Sequence, residues 1–412
     1  MSDTELLPSR VDPGARRDRR RRKSLRRRAV GWVSVAVPLL VILVVLLTQL
    51  GGKPASAPRA VGNSAEGGQV TYLFVGMRAG DQSGQADWLT LMAIDRSGQH
   101  PLTVFIPTGT LTEIPGYGYD IAGKAMSLGR VPLQEITIEN MLGIQIDHTM
   151  LVPDSLMMRL VDRAGGVTVT LKNALMQQRG ANRVVPVFQP GTRRFDGKTA
   201  VKFLQYLGPD EDELARLGRQ QRVWEALLSR FGGADADKLA RIVSGFGDSL
   251  ITDATPANVG AFFASFASAG PDLRSYRALP VASVGSGEDA AFRVDQQRYD
   301  GELARLLAPS RPPGAAATPV RVQILNGNGQ PEIGLAVAQV LVPAGFHIAD
   351  TGNASSFGFK RTKIIAYSDA DLAAARRIRA LLGVGSIEIG RTPQTIVDVT
   401  VVVGADFAAP GQ

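Results

Sequence analysis

From Val70 onward the apolar residues fall into short runs separated by Gly, Asp, Ser and Pro. "VTYLFVG" (70–76), "WLTLMAID" (88–95) and "LTVFIP" (102–107) are too short for helices and continuous enough for strands buried on both faces. The period then changes. "LQEITIENMLG" (133–143) has helical spacing, and "IQIDHTMLV" (144–152) alternates as a strand. In "SLMMRLVDRAG" (155–165), Leu156, Met157, Leu160 and Val161 share one helical face, with Asp154 placed to cap it. "VTVTL" (167–171) reads as a further strand. Helical periodicity follows at 197–207, 213–231, 236–246 and 256–267, and a strand–helix pair spans 291–308. In 213–231 the stripe is Leu214, Leu217, Val223, Leu227 and Phe231. Strands interleaved with helices predict an α/β fold, a mixed sheet with helices on both faces.

"APSRPPGAAATP" (308–319) breaks the pattern with Pro and Ala and reads as a linker. A smaller α/β module follows. It has strands at 320–325, 363–368, 386–390 and 398–407 and helices at 335–346 and 370–383. The predicted division is one domain over 69–308, a linker at 309–318 and a second domain over 319–407.

Upstream, "AVGWVSVAVPLLVILVVLLTQLGG" (29–52) carries no charge. As a helix it would span about 36 Å, enough for a hydrocarbon core of about 30 Å. It is expected to be a single-pass membrane anchor. Residues 1–28 form a basic tail that the positive-inside rule keeps cytoplasmic, 53–68 form a linker, and the bulk lies outside the cell.

Charge changes the picture less than the net value of +8 implies. Residues 1–30 hold eleven Lys/Arg and four acids. The rest of the chain holds 35 basic and 34 acidic residues, so its balance gives no reason to expect nucleic acid as a partner. Cysteine is absent, which excludes disulfides and thiolate chemistry. The three histidines, His100, His148 and His347, are too scattered for a His-based metal site and read as structural.

Motifs for phosphate chemistry are mostly negative. "GTRRFDGKTA" (191–200) has five residues between its glycines where a Walker A loop needs four. "GNG" (327–329) lacks the third glycine of a dinucleotide loop and reads as a turn. Asp87 stands beside Trp88, placed either to hold Mg²⁺ against a phosphate or to cap a turn. The acidic run 210–213 reads as a solvated loop and helix start. Arg216 and Arg219 leave one helix face at i and i+3, beside an apolar stripe. They suit either a half-buried anion site or pairing with Glu211 or Glu213.

Taken in order, several stretches resemble the LytR-CpsA-Psr family. They are "YLFVG" (72–76), "ADWLTLMAID" (86–95), "VFIP" (104–107), "ENMLGIQIDHTMLV" (139–152), "LVDRAGGVTVTL" (160–171), "FDGKTAVKFLQY" (195–206) and "RLGRQQ" (216–221). Residues 319–407 resemble the LytR C-terminal module, through "VQILNGNG", "AGF" and "VTVVVGADF". The resemblance implies a membrane-anchored protein outside the cell that moves glycopolymer from a polyprenyl-pyrophosphate carrier onto peptidoglycan, using Mg²⁺. It implies Arg216 and Arg219 as catalytic residues, Thr108, Gln220 and both arginines as substrate ligands, and Asp87 as the metal ligand. Other envelope proteins are further implied partners.

The departures are as informative. Where the family carries Arg-Ser-Asp, Pro-Arg-Asp and a lysine-led segment, this chain has Gln85-Ala86-Asp87, Pro107-Thr108-Gly109 and Asp120-Ile121-Ala122. The family's Tyr-Val-Arg-Tyr-Arg is Phe203-Leu204-Gln205-Tyr206-Leu207, and Glu213 stands for an aspartate. Four arginines and a lysine are thus replaced. Arg78, Arg193, Arg194 and Lys202 are the available substitutes. A charge-assisted contact contributes about 1.5–3 kcal/mol, so the resemblance implies carrier binding with weakened or absent phosphotransfer. An active transferase is the alternative.

Overall fold

Three strands run together at the centre because, apart from Gln69 and Asp95 at their ends, the residues on both of their faces are apolar or small. They are β1 (Gln69–Met77), β2 (Trp88–Asp95) and β3 (Leu102–Ile106). The computed structural model describes residues 68–179, 183–209, 211–285, 290–316, 318–392 and 394–409. Six further strands precede the helical region: β4 (Leu111–Ile114), β5 (Gly118–Ile121), β6 (His148–Pro153), β7 (Val167–Leu171), β8 (Leu175–Arg179) and β9 (Arg183–Phe188). β10 (Gly191–Phe195), β11 (Ile251–Thr252), β12 (Ser275–Ala278), β13 (Val281–Val284) and β14 (Ala291–Val294) complete the first domain's strands. Its helices are α1 (Ala125–Leu142), α2 (Asp154–Arg163), α3 (Gly197–Gln205), α4 (Glu213–Phe231), α5 (Ala236–Ser244) and α6 (Pro256–Ser268).

The main sheet has the order β11-β6-β1-β2-β3-β12 and is mixed: β1 is antiparallel to β2 and parallel to β6. Alternation sends Tyr72, Phe74, Trp88, Met92 and Phe105 to one face, under α2, α3, α4 and α6. It sends Leu73, Val75, Leu89, Leu91, Val104 and Ile106 to the other, under α1 and a helical stretch over 296–306. The three-layer arrangement agrees with the expected α/β architecture. Four two-stranded ribbons, β4–β5, β7–β10, β8–β9 and β13–β14, lie outside the sheet.

The second sheet is built from β15 (Arg321–Asn326), β16 (His347–Asn353), β17 (Lys363–Ala366), β18 (Ser386–Ile389) and β19 (Val399–Val403), in the order β16-β15-β19-β17-β18. It carries α7 (Ile333–Leu341) and α8 (Leu372–Leu382). Its core is not confined to this module. Ile114, Ala125, Leu133 and Ile136 of β4 and α1 are buried with Val337, Leu341, Ile348 and Phe346.

Two expectations are corrected. The fold class included a membrane helix, but no helix among the described residues is long and apolar enough to cross a membrane. The fold described is two α/β modules, and the basic tail, the apolar stretch 29–52 and the linker up to residue 67 lie outside the described residues. Asp154 does not cap α2. Pro153 is the N-cap without a side-chain bond, and Asp154 Oδ2 instead accepts from the Ala79 N–H at 2.8 Å and Gln205 Nε2 at 2.7 Å. A free carboxylate within reach of two unpaired donors satisfies them first.

Candidate functional site

Loops at the ends of β1 and β3 meet the N-terminal half of α4. Backbone bonds tie these loops together: Asp87 N–H to Gly76 O (2.8 Å), Ala86 N–H to Gly123 O (3.0 Å) and Gly123 N–H to Thr108 O (2.9 Å). α4 starts where Asp212 caps it, accepting from the N–H groups of Leu214 and Ala215. With the start fixed, Arg216, Gln220 and Trp224 recur every four residues and share one face. Trp224 packs on Phe74 and Trp88, which turns that face to the sheet.

Arg216 is buried. Its Nη2 donates to Asp87 Oδ1 at 3.0 Å and Asp87 O at 3.2 Å, and its Nε to Leu204 O at 3.4 Å. Arg78 reaches the same Asp87 Oδ1 at 2.8 Å from the solvent side. Asp87 therefore sits between two guanidiniums, while its Oδ2 is buried with no hydrogen-bond partner. Arg219 makes a bidentate pair with Glu211, at 3.1 and 2.9 Å, and lies over the Tyr206 ring at 5.1 Å. Partial burial, with Glu211 nearby, raises the Tyr206 hydroxyl above its ordinary pKa. Both amide atoms of Gln220 are buried and unpartnered.

Thr108 is occupied from within. Its N–H and hydroxyl donate to Glu213 Oε1 at 2.6 and 2.8 Å, and the Gly109 N–H donates to Glu213 Oε2 at 2.9 Å. Two successive N–H groups and a hydroxyl make an anion cradle, and the chain fills it with its own carboxylate. The acidic run was expected to be a solvated loop and helix start. The helix does start there, capped by Asp212, but Glu211 is a counter-ion and Glu213 the occupant of this cradle.

Of the expected site residues, Asp87 and Arg216 come together directly. Thr108 and Arg219 are held on neighbouring acids of α4 and the segment before it, and Gln220 lies one turn beyond Arg216. Arg78 is the substitute that reaches the site. Arg193 and Arg194 lie on β10 and Lys202 on α3, while Lys124 pairs with Asp120 instead. Glu211 and Glu213 were read only as alternative pairing partners of the two arginines, of which the Arg219–Glu211 pair is observed, and Tyr206 was not read as a site residue. The signal for the two acids was four acids immediately before an Arg-x-x-Arg pair. Electrostatically, three guanidiniums (Arg78, Arg216, Arg219) face three carboxylates (Asp87, Glu211, Glu213). The neutral sum offers an incoming anion oriented donors but little net attraction.

For a divalent ion the described residues of this site offer one uncommitted carboxylate oxygen, Asp87 Oδ2. Among the described residues no three His, Cys, Asp or Glu side chains are grouped to hold a metal. Mg²⁺ is often held by one carboxylate with substrate phosphates and water supplying the rest, and the residues present fit that mode only.

Residues 50–305 match the model of the LytR-CpsA-Psr family, and residues 319–407 match that of the LytR cell envelope-related transcriptional attenuator. The chain is 26% identical over 240 residues to the polyisoprenyl-teichoic acid–peptidoglycan teichoic acid transferase TagT of Bacillus subtilis, covering 52% of this chain and 74% of that protein. It is 24% identical over 398 residues to the cell wall biosynthesis protein LcpA of Corynebacterium glutamicum, covering 84% and 75%. A solved structure of TagT (YwtF) with bound octaprenyl pyrophosphate lipid aligns over 59% of this chain and 90% of that one, at 20% identity and a TM-score of 0.44. With more than half of its length matched by the family model, this chain belongs to the LytR-CpsA-Psr family.

Proposed function

We propose that this protein binds polyprenyl-(pyro)phosphate-linked glycopolymer at the extracytoplasmic face of the cell membrane. There it takes part in attaching that polymer to peptidoglycan, with its own phosphotransfer weakened or lost. The names of its relatives support the substrate class: TagT is a polyisoprenyl-teichoic acid–peptidoglycan transferase. The observation that carries the weakened chemistry is the internal neutralisation of the site. Arg216 and Arg219 are each committed to a carboxylate of the chain, and the Thr108–Gly109 cradle is filled by Glu213. A pyrophosphate leaving group needs uncompensated positive charge in the transition state. Here each cation must first give up an internal partner.

The direct contact of Asp87 with Arg216 favours a second reading, an active phosphotransferase. In it Asp87 Oδ2 would hold Mg²⁺, which supplies charge to the phosphates. Arg216 and Arg219 would bear on the pyrophosphate, with Gln220 and Thr108 as substrate ligands.

The test incubates the full-length chain with an octaprenyl-pyrophosphate-linked glycopolymer, peptidoglycan and Mg²⁺. The expected result is retention of the lipid by the protein, with transfer no faster than in Asp87→Ala and Arg216→Ala. Turnover in the natural protein that disappears in both variants establishes the second reading instead.

A further inference from the structure

Between Val167 and Gln205 the chain carries seven Lys/Arg and a single acid, Asp196, although beyond residue 30 the charges nearly balance. The excess is concentrated on two ribbons outside the main sheet. Lys172, Arg179 and Arg183 flank or lie on β8–β9, and Arg193 and Arg194 lie on β10. All five are exposed, and none forms an ion pair among the described residues. Unpaired cations of one sign on adjoining elements repel one another. A surface that keeps them unpaired concentrates anions from solution over it.

Both ribbons are rooted in one aromatic cluster. Phe188 ends β9 and Phe195 ends β10. Their rings are 5.6 Å apart, and each packs on Phe203 of α3, at 5.3 and 5.4 Å. Phe188 also meets Tyr206 edge-on at 6.1 Å. Tyr206 donates its hydroxyl to Met176 O on β8 and presents its face to Arg219. The aromatic roots of both ribbons are therefore fixed, through Tyr206, to the wall of the candidate site.

We propose that ribbons β7–β10 and β8–β9 form a docking surface for an anionic polymer, a chain bearing phosphate groups at intervals, which leads toward Arg219. This rests on reading the Arg216–Arg219 region as a phosphate site. Arginine's planar fork suits phosphate oxygens, and several weak contacts along one chain add as avidity. An anionic membrane is the less suited occupant. The large apolar side chain exposed on these strands is Val184, too little for insertion, whereas a polymer needs only charge.

The test compares the full-length chain with the quadruple variant Arg179→Gln, Arg183→Gln, Arg193→Gln, Arg194→Gln. Every change is on an exposed side chain, and the basic N-terminal tail is common to both proteins. The probe is labelled long-chain inorganic polyphosphate, followed by fluorescence anisotropy over a salt series. Affinity at physiological ionic strength should fall at least tenfold in the variant, with a shallower salt dependence. In the natural protein, polyphosphate should shield these four arginines from phenylglyoxal. Equal affinity in the two proteins, or no shielding, overturns the inference. So does loss of adsorption to phosphatidylglycerol vesicles with polyphosphate binding intact, which assigns the surface to membrane. Octaprenyl pyrophosphate binding is measured in parallel. If it is absent while the ribbon effect persists, the site reading fails and the ribbon inference stands.

Discussion

Residue by residue, the candidate site is a set of compensations. The cradle at Thr108–Gly109 has the donors of a phosphate site, and Glu213 supplies the anion. Glu213→Ala frees two N–H groups and a hydroxyl and removes one negative charge. Affinity for inorganic pyrophosphate should rise at least tenfold, or about 1.4 kcal/mol, by titration calorimetry. Unchanged affinity means the cradle is structural only. Asp87 and Arg78 then separate burial from proximity. Asp87→Ala leaves Arg216, whose side chain is 10% exposed, without its counter-charge, and should cost about 3 kcal/mol in chemical denaturation. Arg78→Ala removes an equally close partner whose side chain is 41% exposed, and should cost under about 1 kcal/mol. Arg216 and Arg219 were legible because i, i+3 spacing beside an apolar stripe is a local signal. Beyond the Arg219–Glu211 pair, which was one of two readings left open, their environment was not. Glu213 lies 105 residues from Thr108 and Arg216 lies 129 from Asp87, and no local pattern encodes such contacts.

Elements were legible in proportion to how much apolar surface they bury. β1, β2 and β3 fall on the three runs read from the sequence, and α4 spans the residues its stripe predicted, because a capping Asp212 adjoins the periodic segment. β7 falls on the run read at 167–171, but β8, β9 and β10 were missed, since Gln177, Arg179, Arg183, Arg193 and Arg194 are polar and face water. β16, "HIADTGN", was missed because an edge strand with a polar end carries little alternation. α1 shows why a helix read from 133 begins at 125: Gly129 and Arg130 leave helical geometry and Pro132 cannot donate, so the periodic half starts after the kink. Arg130 has φ 59° and ψ −153°, a region that glycine occupies without strain. Arg130→Gly should therefore stabilise the protein by about 1 kcal/mol, read from denaturation midpoints. A loss of stability there would place the strain elsewhere.

At the scale of the molecule, the second module is joined to the first by a shared core and a polar seam. Asn140 takes both the N–H and the C=O of Ile348, at 2.7 and 2.9 Å, and its carbonyl meets the His347 ring at 3.1 Å. The start of the linker region is packed down through Ser310, which bonds Gln69 and receives the Gln145 N–H, contacts that Pro/Ala composition does not encode. The seam's most sensitive group is Glu113 of β4. It is 5% exposed, accepts a bond from Thr351 of β16, and lies near Asp350. Burial, with the Asp350 charge adding to it, pushes Glu113 up from 4.5 to about 7, against the Thr351 bonds that lower it. Above about pH 4.5 the unfolded chain loses this proton while the folded chain keeps it. Its contribution is thus full at low pH and falls as pH rises to about 7. Over that window the loss is about 3 kcal/mol. His347, which burial holds below its ordinary value, changes stability in the opposite direction through the same range, so the natural protein's own profile mixes the two. Glu113→Gln keeps the shape and removes only the titration. The difference in unfolding free energy between the two proteins should shift by about 3 kcal/mol in the variant's favour from pH 4.5 to pH 8. A difference that stays flat means Glu113 is ionised in the seam throughout. Because β4 follows the Thr108–Gly109 cradle by two residues, the same titration should loosen Glu213 there, read as faster amide exchange at 108–114 in the natural protein above pH 7 and not in Glu113→Gln.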